Sequence, residues 1–455
     1  MNINDELLPD CFENDQVIYC DALGENIRII EKIGSGGQAE VYKISTSTGY
    51  YALKIWYSRL CSKESLERLK KLVDNPINSD LFIWPKYIFE YGKRFGYIMD
   101  LIPDDYISIS KFLYDKTVSD NIIDNIDGDF SRNIRHRILW SINIAKALSI
   151  IHRHQDSYKD LSLNNIFINI YNGKILYIDN DNITPNFESN GARGTPEFIA
   201  PEIIESNHKP DRLSDVFSLA IIIFYMLTSN HPFQGNYQNI DFSNYSDDEF
   251  NKKIYGYEAC FIFSDLNDLY RHINANQEFI ASLWQLFPET LRNKFHYNFT
   301  IGINSMGSRT SSTEWMKTLF NALSSAVICP YCGEIHFFEP DDLRNQSFKP
   351  VCGDCNNTIC LPIVRIDKSK YVLLNNNDVL YRGYFSLDDN ETDIAFKVEY
   401  ECGRLSLINM IYDAKVYYNN QIVPSDYIIN DIKSGDKIYI INKNRKIECY
   451  IAIPK

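Results

Sequence analysis

The alternation of apolar and polar positions divides the chain into stretches of different character. Residues 26–100 carry short alternating runs that are typical of β-strands, with one helical pattern at 63–69. Residues 101–326 carry mostly helical patterns, which polar loops interrupt. From Cys329 onward the helical pattern stops, and short β-rich runs follow, for example at 370–374 and 437–441.

This pattern predicts an α+β chain with several domains, which 455 residues can accommodate at ~100–200 residues per domain. The predicted parts are an acidic lead-in at 1–25, a large domain at 26–326 with a β-rich part at 26–100 and a helical part at 101–326, a cysteine-containing unit at 327–362, and a small all-β domain at 363–455.

Charge and composition narrow the function classes. The formal net charge of -14 makes the chain a poor electrostatic match for nucleic acid, and none is expected as a partner. The longest apolar run, about 219–227, is too short to span a bilayer, which needs ~20 residues, and the acidic N-terminus does not resemble a signal peptide. An odd count of eleven cysteines favours free thiols in a reducing cytoplasm.

A glycine-rich segment followed by a strand lysine indicates a nucleotide site. Glycines at 34, 36 and 37 allow backbone N–H groups to approach phosphate oxygens, and Lys54 ends an apolar strand, where its ammonium suits the α- and β-phosphates. At this spacing the two motifs resemble the protein-kinase Gly-rich loop and its strand lysine. The ATP-binding residues that the resemblance implies are Ile33, Gly34, Ser35, Gly36, Gly37, Gln38, Val41, Ala52, Lys54, Met99, Asp100 and Leu101.

Further along, Tyr158-Lys159-Asp160-Leu161-Ser162-Leu163-Asn164-Asn165 resembles the kinase catalytic loop H-R-D-L-x-x-x-N. The resemblance implies that Asp160 orients the substrate hydroxyl and that Asn165 and Asp179 bind Mg²⁺, with Mn²⁺ as an alternative. It also requires a helix glutamate beside Lys54. Glu64 and Glu67 both qualify, and the distance to the next strand favours Glu67.

Four later segments distinguish a protein kinase from a small-molecule kinase. Residues 194–202 resemble the A-P-E platform, 214–220 and 231–233 the buried helix and the turn behind it, and 309–315 a closing arginine segment. The resemblance gives Glu202, Asp215 and Arg309 structural roles. The resemblance covers about 27–326 and predicts a bilobal protein-kinase fold. It is closest to bacterial Ser/Thr kinases of tellurite-resistance and stress-response gene clusters. Such a setting implies a protein substrate and, as partners, a von Willebrand A-type protein and a metal-dependent phosphatase.

Several positions depart from the kinase pattern. Tyr158 and Lys159 replace His and Arg, Ser162 stands where a lysine is common, and Asn180-Asp181 replaces Phe-Gly. These changes leave two alternative hypotheses besides an active protein kinase. One is a pseudokinase scaffold that binds nucleotide and recruits partners, and the other is a small-molecule phosphotransferase, which the later segments disfavour. The activation segment offers Thr184, Ser189 and Thr195, but activity is expected not to depend on its phosphorylation.

Two C-x-x-C pairs predict a structural Zn²⁺ site. Cys329, Cys332, Cys352 and Cys355 supply four thiolates, which give tetrahedral zinc with no open position. His336 and Cys360 are alternative ligands outside the pairs. The predicted zinc ribbon at 327–362 is expected to position the tail, and a lobe ending near residue 326 is expected to keep nucleotide binding.

The last ninety residues resemble the second half of a forkhead-associated (FHA) β-sandwich, at 419–423 and 432–438. The phosphothreonine-reading residues of that domain are not found as a set, and Gly403-Arg404-Leu405-Ser406 is only a fragment of it. The favoured interpretation is therefore an interaction domain that does not bind phosphopeptides.

Overall fold

The structure is a computed structural model that describes residues 11–115, 130–186, 194–206, 208–235, 243–264, 275–344, 349–367, 370–375, 377–387, 391–443 and 445–453. The first lobe is a six-stranded antiparallel sheet in the order β1-β2-β3-β4-β6-β5. Its strands are β1 (Val17–Cys20), β2 (Glu25–Ser35), β3 (Ala39–Ser45), β4 (Tyr50–Trp56), β5 (Tyr87–Tyr91) and β6 (Arg94–Met99).

Part of the predicted lead-in belongs to this sheet. Strand β1 pairs with β2, and Phe12 packs edge-on against Tyr42, Phe89 and Tyr91 in the core of the lobe. The N-terminal lobe therefore begins well before residue 26. The acidic composition of 1–25 gave no indication that a few apolar side chains there are part of this core.

One helix, α1 (Lys63–Asp74), crosses this lobe. Ser62 caps its N-terminus, because the Ser62 hydroxyl accepts a hydrogen bond from the Ser65 amide, a role for which serine is preferred. Its buried positions are Ser65 and Leu69, one turn apart, and they set which face of the helix meets the sheet.

The second lobe is mainly helical and is built around α5 (Arg212–Thr228). Asp211 caps this helix through the amides of Leu213 and Ser214, and every position from 214 to 228 is buried. A helix that is apolar on all sides lies inside a core. The other helices are α2 (Ile109–Tyr114), α3 (Phe130–Arg153), α4 (Pro201–Glu205), α6 (Asp247–Tyr255), α7 (Ala275–Leu286), α8 (Glu289–Asn304) and α9 (Ser312–Ser325).

Short strands at the junction of the lobes carry the predicted catalytic segments. The order β10-β9-β7 forms one small sheet, and β8 pairs with β11. Their bounds are β7 (Tyr106–Ser108), β8 (Asp156–Ser157), β9 (Ile166–Asn169), β10 (Ile175–Tyr177) and β11 (Thr184–Pro185). The loops after β8 and β10 therefore emerge side by side.

The cysteine unit is a short hairpin followed by a loop. It contains β12 (Ala326–Ile328), β13 (Ile335–Phe337) and one short helix, α10 (Pro340–Arg344), which the sequence pattern did not predict. A β-bridge between Val351 and Thr358 closes its second half.

The C-terminal domain consists of two antiparallel sheets. The first has the order β15-β14-β23-β22-β19-β20 and the second β16-β17-β18-β21. The strands are β14 (Ile363–Ile366), β15 (Lys370–Leu373), β16 (Val379–Tyr381), β17 (Ile394–Glu401), β18 (Arg404–Asn409), β19 (Lys415–Tyr418), β20 (Gln421–Val423), β21 (Ile428–Ile432), β22 (Lys437–Asn442) and β23 (Arg445–Ala452). Side chains alternate between buried and exposed along β18 and β23, as one-sided burial requires.

The β-domain packs directly on the helical lobe, against α3 and α9. The Arg135 guanidinium and the Asp378 carboxylate form a bidentate ion pair at 2.7 and 3.1 Å, and both side chains are largely buried. Phe320 contacts Tyr384 edge-on and lies so close to Gly383 that a Cβ there would be 2.3 Å from the ring. One continuous apolar core joins the lobe and the domain. These contacts do not pass through the cysteine unit, so the helical lobe holds the tail directly, in addition to the apolar contacts of the cysteine unit with Tyr371 and Leu373.

Among the described residues, no helix combines the length and apolarity that crossing a membrane would require.

The Arg135–Asp378 pair generates the first prediction. Arg135→Met leaves the buried Asp378 carboxylate without its counter-charge, and we expect a loss of roughly 3–5 kcal/mol in the free energy of unfolding. Arg445→Met is the matched control, since Arg445 pairs with Asp367 at 3.4 Å in an exposed position and should cost less than about 1 kcal/mol. Denaturant unfolding of both variants measures the difference. Equal small losses would show that the pair does not hold the domain.

Candidate functional site

Lys54 lies at the centre of the cleft between the lobes. Its ammonium is 2.9 Å from an Asp181 carboxylate oxygen and 3.2 Å from Asp179, and only 6% of the side chain is exposed. Burial by itself would lower the pKa of Lys54, but the charges of Asp181 and Asp179 raise it above its ordinary value. The lysine is therefore a permanent cation at this point.

The predicted helix partner of Lys54 is wrong in this structure. The Glu67 side chain is 57% exposed and lies 3.9 Å from Lys70 of its own helix, and Glu64, which is 82% exposed, lies 3.9 Å from Arg68. Neither glutamate contacts Lys54. The spacing to the next strand could not reveal how the helix is rotated about its axis.

Asp160 and Asn165 are held together in the catalytic loop. The Asn165 amide nitrogen donates to the Asp160 carboxylate at 3.2 Å and to its backbone carbonyl at 2.9 Å. Burial raises the pKa of Asp160, and repulsion from Asp179 raises it further. Gly194, with φ at +84°, lies beside this carboxylate, and a Cβ at that position would be 2.5 Å from Ile199.

The loop backbone is fixed by Asp215 of α5. Its carboxylate accepts hydrogen bonds from the Tyr158 amide at 2.8 Å and from the Lys159 amide at 2.9 Å, and His152 lies 3.1 Å from it. Lys159 has a φ of 72°, an unfavourable conformation for a side chain with a Cβ. The two hydrogen bonds from these backbone amides stabilise the strained turn and so set the direction in which the Asp160 side chain points.

Tyr158 connects the catalytic loop to the metal-loop aspartate. Its hydroxyl donates to the carbonyl of Ile178, the residue before Asp179. Asp179 itself is left-handed, with φ at 57°, and the next residue, Asn180, is buried and donates to the carbonyls of Ile83 and Tyr177. The polar residues that replace the usual His and Phe thus fix the backbone by hydrogen bonds.

The glycine-rich loop is the turn between β2 and β3. Ser35 ends β2, the Gly36 amide bonds the Ala39 carbonyl at 3.0 Å, and a Cβ on Gly36 or Gly37 would meet no atom within 4 Å. In the strands behind it, Ala52 pairs with Met99 across β4 and β6 and both are buried. Among the remaining predicted residues, Gly34 lies against Val41, and Leu101 packs against the apolar cluster around Met99. The side chains of Ile33 and Asp100 are exposed.

The donor set fits magnesium and a nucleotide phosphate. Asn165 uses its amide nitrogen on Asp160, so its amide oxygen would be the metal ligand, together with the partly exposed Asp179 carboxylate. Hard oxygen ligands of this kind suit Mg²⁺. Lys54 supplies the positive charge that phosphate oxygens require.

The platform residues come together as an ion pair. Arg309 binds Glu202 in a bidentate manner, with both N–O distances at 2.7 Å, and both side chains are almost fully buried. Arg309 also donates to the carbonyls of Gly302 and Leu213. In the activation segment, the buried Thr184 hydroxyl accepts a hydrogen bond from Lys159, while Ser189 lies outside the described residues.

The four predicted zinc cysteines lie together, with their sulfur atoms within 4.8 Å of one another. The two knuckles repeat the same backbone bonds. Cys329 and Cys352 each donate to a carbonyl five residues ahead, at 2.8 and 2.9 Å, and each accepts from an amide four residues ahead at 3.0 Å. The left-handed residue is Gly333 in the first knuckle and Asn356, rather than a glycine, in the second. His336 lies 3.1 Å from the Cys352 sulfur, so it remains close enough to matter as a ligand.

Sequence reasoning missed the part that four residues play around Lys54. Asp181 accepts hydrogen bonds from Trp56 at 3.1 Å and from Tyr97 at 2.9 Å, in addition to Lys54. Gly96 passes so close to β4 that a Cβ would be 1.9 Å from the Lys54 carbonyl. The repeat of aspartate at 179 and 181 was the available signal for the first of these contacts.

Comparisons with known proteins identify the fold of this cleft. The protein kinase domain family matches residues 27–293. Two Arabidopsis thaliana relatives, the serine/threonine-protein kinases AtPK2/AtPK19 and AtPK1/AtPK6, are each 24% identical, over 47% and 49% of this chain. The matches span only 43% and 46% of those relatives, less than half of their length.

Among solved structures, the crystal structure of the PF14_0431 kinase domain covers 69% of this chain and 99% of that chain, at 17% identity and a TM-score of 0.44. The family match extends over more than half of the present sequence and includes Lys54, Asp160, Asn165 and Asp179. The chain belongs to the protein kinase domain family.

Proposed function

We propose that the chain is an ATP-dependent serine/threonine protein kinase that transfers the γ-phosphate to hydroxyl groups of proteins. The observation that carries this proposal is the convergence of four side chains on one cleft. Lys54 lies 3.2 Å from Asp179, Asn165 lies 3.2 Å from Asp160, and the Ile178 amide, next to Asp179, bonds the Asn165 carbonyl at 3.0 Å.

Each of these residues has a distinct part in the reaction. Lys54 binds the α- and β-phosphates of ATP and holds the nucleotide against the sheet. Asp160, oriented by Asn165, accepts a hydrogen bond from the substrate hydroxyl. It receives the hydroxyl proton as the hydroxyl oxygen bonds the γ-phosphorus and the bond from that phosphorus to the ADP leaving group breaks. Burial keeps this carboxylate more basic than an exposed aspartate, which suits proton acceptance. Magnesium, held by Asn165 and Asp179, would neutralise the charge of the phosphates.

The geometry also supports activity without phosphorylation of the loop. Thr184 is buried and its hydroxyl already bonds Lys159, the residue at the position where many kinases use an arginine to bind a loop phosphate. A phosphate on Thr184 would have to displace this contact. We therefore propose that Lys159 is satisfied by the hydroxyl itself.

The biological setting is proposed from the resemblance of the motifs. It places the kinase in the cytoplasm, in a bacterial stress-response or defence system, with a von Willebrand A-type protein and a metal-dependent phosphatase as partners. The two-sheet C-terminal domain supports an FHA-like interaction domain. Its Arg404 lies in an exposed β17–β18 hairpin, and its Arg382 is paired bidentately with Asp413 at 2.7 Å, which favours a domain that does not bind phosphopeptides.

The cysteine cluster supports a structural zinc ribbon. Four sulfur atoms at mutual distances below 4.8 Å, on two knuckles of the same geometry, match the tetrahedral zinc sites that knuckles form. With four thiolate ligands the ion would have no open position, so we assign it no part in phosphoryl transfer.

Loss of the catalytic carboxylates tests the proposed reaction. Asp160→Asn and Asp179→Asn should each lower phosphate transfer by roughly 10²-fold or more, because they remove the proton acceptor and a metal ligand. The measurement is transfer from labelled ATP with Mg²⁺ to the protein itself and to the candidate partners, with mass spectrometry of the labelled residues. Asp248→Asn, an exposed aspartate paired with Lys252, is the control.

Full transfer in either variant would refute the assignment. Nucleotide binding by the wild-type protein without any transfer to protein would support the pseudokinase alternative instead. Transfer to a small molecule but not to protein would support a small-molecule phosphotransferase.

Zinc dependence is tested separately. We expect one zinc per chain in protein purified without chelators, and Cys352→Ser should abolish metal binding and increase hydrogen exchange across 327–362, because the metal supplies much of the folding free energy of so small a unit. The α3–β-domain contacts should remain protected. Cys402→Ser, at an exposed cysteine outside the cluster, should retain the metal. Wild-type protein with all cysteines reduced and no metal would contradict the ribbon.

A further inference from the structure

We propose that Asp181 is the positioning residue for Lys54, in the place of a glutamate on helix α1. This inference rests on the proposed kinase function and names the group that organises its nucleotide lysine. Asp181 is a positioning residue because it acts through Lys54 and is not itself expected to touch the nucleotide.

The contacts of Asp181 are saturated by donors from the N-terminal sheet. One carboxylate oxygen accepts from Lys54 and from the Tyr97 hydroxyl, both at 2.9 Å, and the other accepts from the Trp56 indole at 3.1 Å and from Lys54 at 3.2 Å. Only 1% of the side chain is exposed. A carboxylate with both oxygens used in this way has a fixed orientation and no lone pair directed at a metal. Asp181 is therefore better suited to hold the lysine than to bind magnesium beside Asp179.

The geometry of α1 excludes its glutamates from this task. The helix buries Ser65 and Leu69, and at 3.6 residues per turn position 67 lies on the opposite side of the helix from both. Bringing Glu67 to Lys54 would require rotating the helix by about half a turn, which would expose Leu69. The exposed salt bridges of Glu64 and Glu67 within α1 agree with this orientation.

The consequence concerns what controls the lysine. Trp56 and Tyr97 lie on β4 and β6, the strands that carry and flank Lys54, whereas Asp181 follows the metal aspartate. The Lys54 ammonium is thus held between the sheet and the metal loop by the Asp181 carboxylate. Displacement of α1 would leave the hydrogen bonds of Asp181 with Lys54, Trp56 and Tyr97 unchanged.

The test compares Asp181→Asn with Glu64→Gln and Glu67→Gln in the full chain, each in the wild-type and in the Lys54→Met background. The readouts are the Kd for a fluorescent N-methylanthraniloyl-ATP with Mg²⁺, kcat and KM for ATP with dephosphorylated casein as acceptor, and the melting temperature. Asp181→Asn should lower kcat by about 10²-fold, as expected for a misplaced charge, and weaken nucleotide binding by about tenfold. The two glutamate variants should stay within about twofold of wild type.

The Lys54→Met background separates positioning from a structural role. If Asp181 acts through Lys54, Asp181→Asn should change the Kd by less than about twofold once the lysine is absent. An undiminished effect in that background, no effect in the wild-type background, or an equal loss in Glu67→Gln would overturn the proposal. Should Asp181→Asn fail to fold, Tyr97→Phe and Trp56→Phe each remove one donor to the carboxylate and should weaken nucleotide binding several-fold, and wild-type affinity in both would overturn it as well.

The two proposals fail in different ways. If the wild-type protein phosphorylates neither casein, nor itself, nor the candidate partners, the proposed function fails, but the Kd series still decides the role of Asp181. If transfer occurs and depends on Glu67 rather than on Asp181, the positioning role fails while the kinase assignment stands.

Discussion

The carboxylate of Asp215 is the interaction on which the rest of the site depends. Asp215 lies in the first turn of α5, the helix that is buried on all sides. Its carboxylate accepts hydrogen bonds from the backbone amides of Tyr158 and Lys159 in the catalytic loop. A strained turn at Lys159 persists because this buried acceptor compensates for it. The position of Asp160 is therefore set by the core of the helical lobe through Asp215.

A second set of charges, of which Lys54 and Asp181 are buried and Asp179 is partly exposed, joins the two lobes. Lys54 comes from the sheet and Asp179 and Asp181 from the metal loop, so their attraction crosses the cleft. Inside a protein such a group is costly unless its charges are paired and its hydrogen bonds are complete. Trp56 and Tyr97 complete them, which explains why an indole and a phenol occupy these strand positions.

The sequence was most informative where chemistry restricts residue type. Lys54, Asp160, Asn165, Asp179 and the cysteine pairs could be located because few other residues supply those charges and ligands at those spacings. The partner of Lys54 could not be found in this way. Glu64, Glu67 and Asp181 are all acidic residues near a suitable position, and only the rotation of α1 and the fold of the metal loop distinguish them.

The boundaries were also harder to predict than the motifs. Composition marked 1–25 as a separate segment, yet in its described part, 11–25, Phe12, Ile18 and Cys20 belong to the core of the N-terminal lobe. Likewise, no local pattern revealed that the tail docks on α3 and α9. That contact depends on residues more than a hundred positions apart, such as Arg135 and Asp378, and neither carries a motif.

The shared core of the helical lobe and the β-domain limits how this chain can be divided. Helix α9 packs against α3 and α8 on one side and against the C-terminal domain on the other. Its apolar side chains are therefore buried by one or the other. A protein cut after α9 would present Phe320 and its neighbours to water, a surface prone to self-association. The β-domain at 363–455 thus covers an apolar face of the kinase domain, and any other tail joined after α9 would have to present a matching apolar surface.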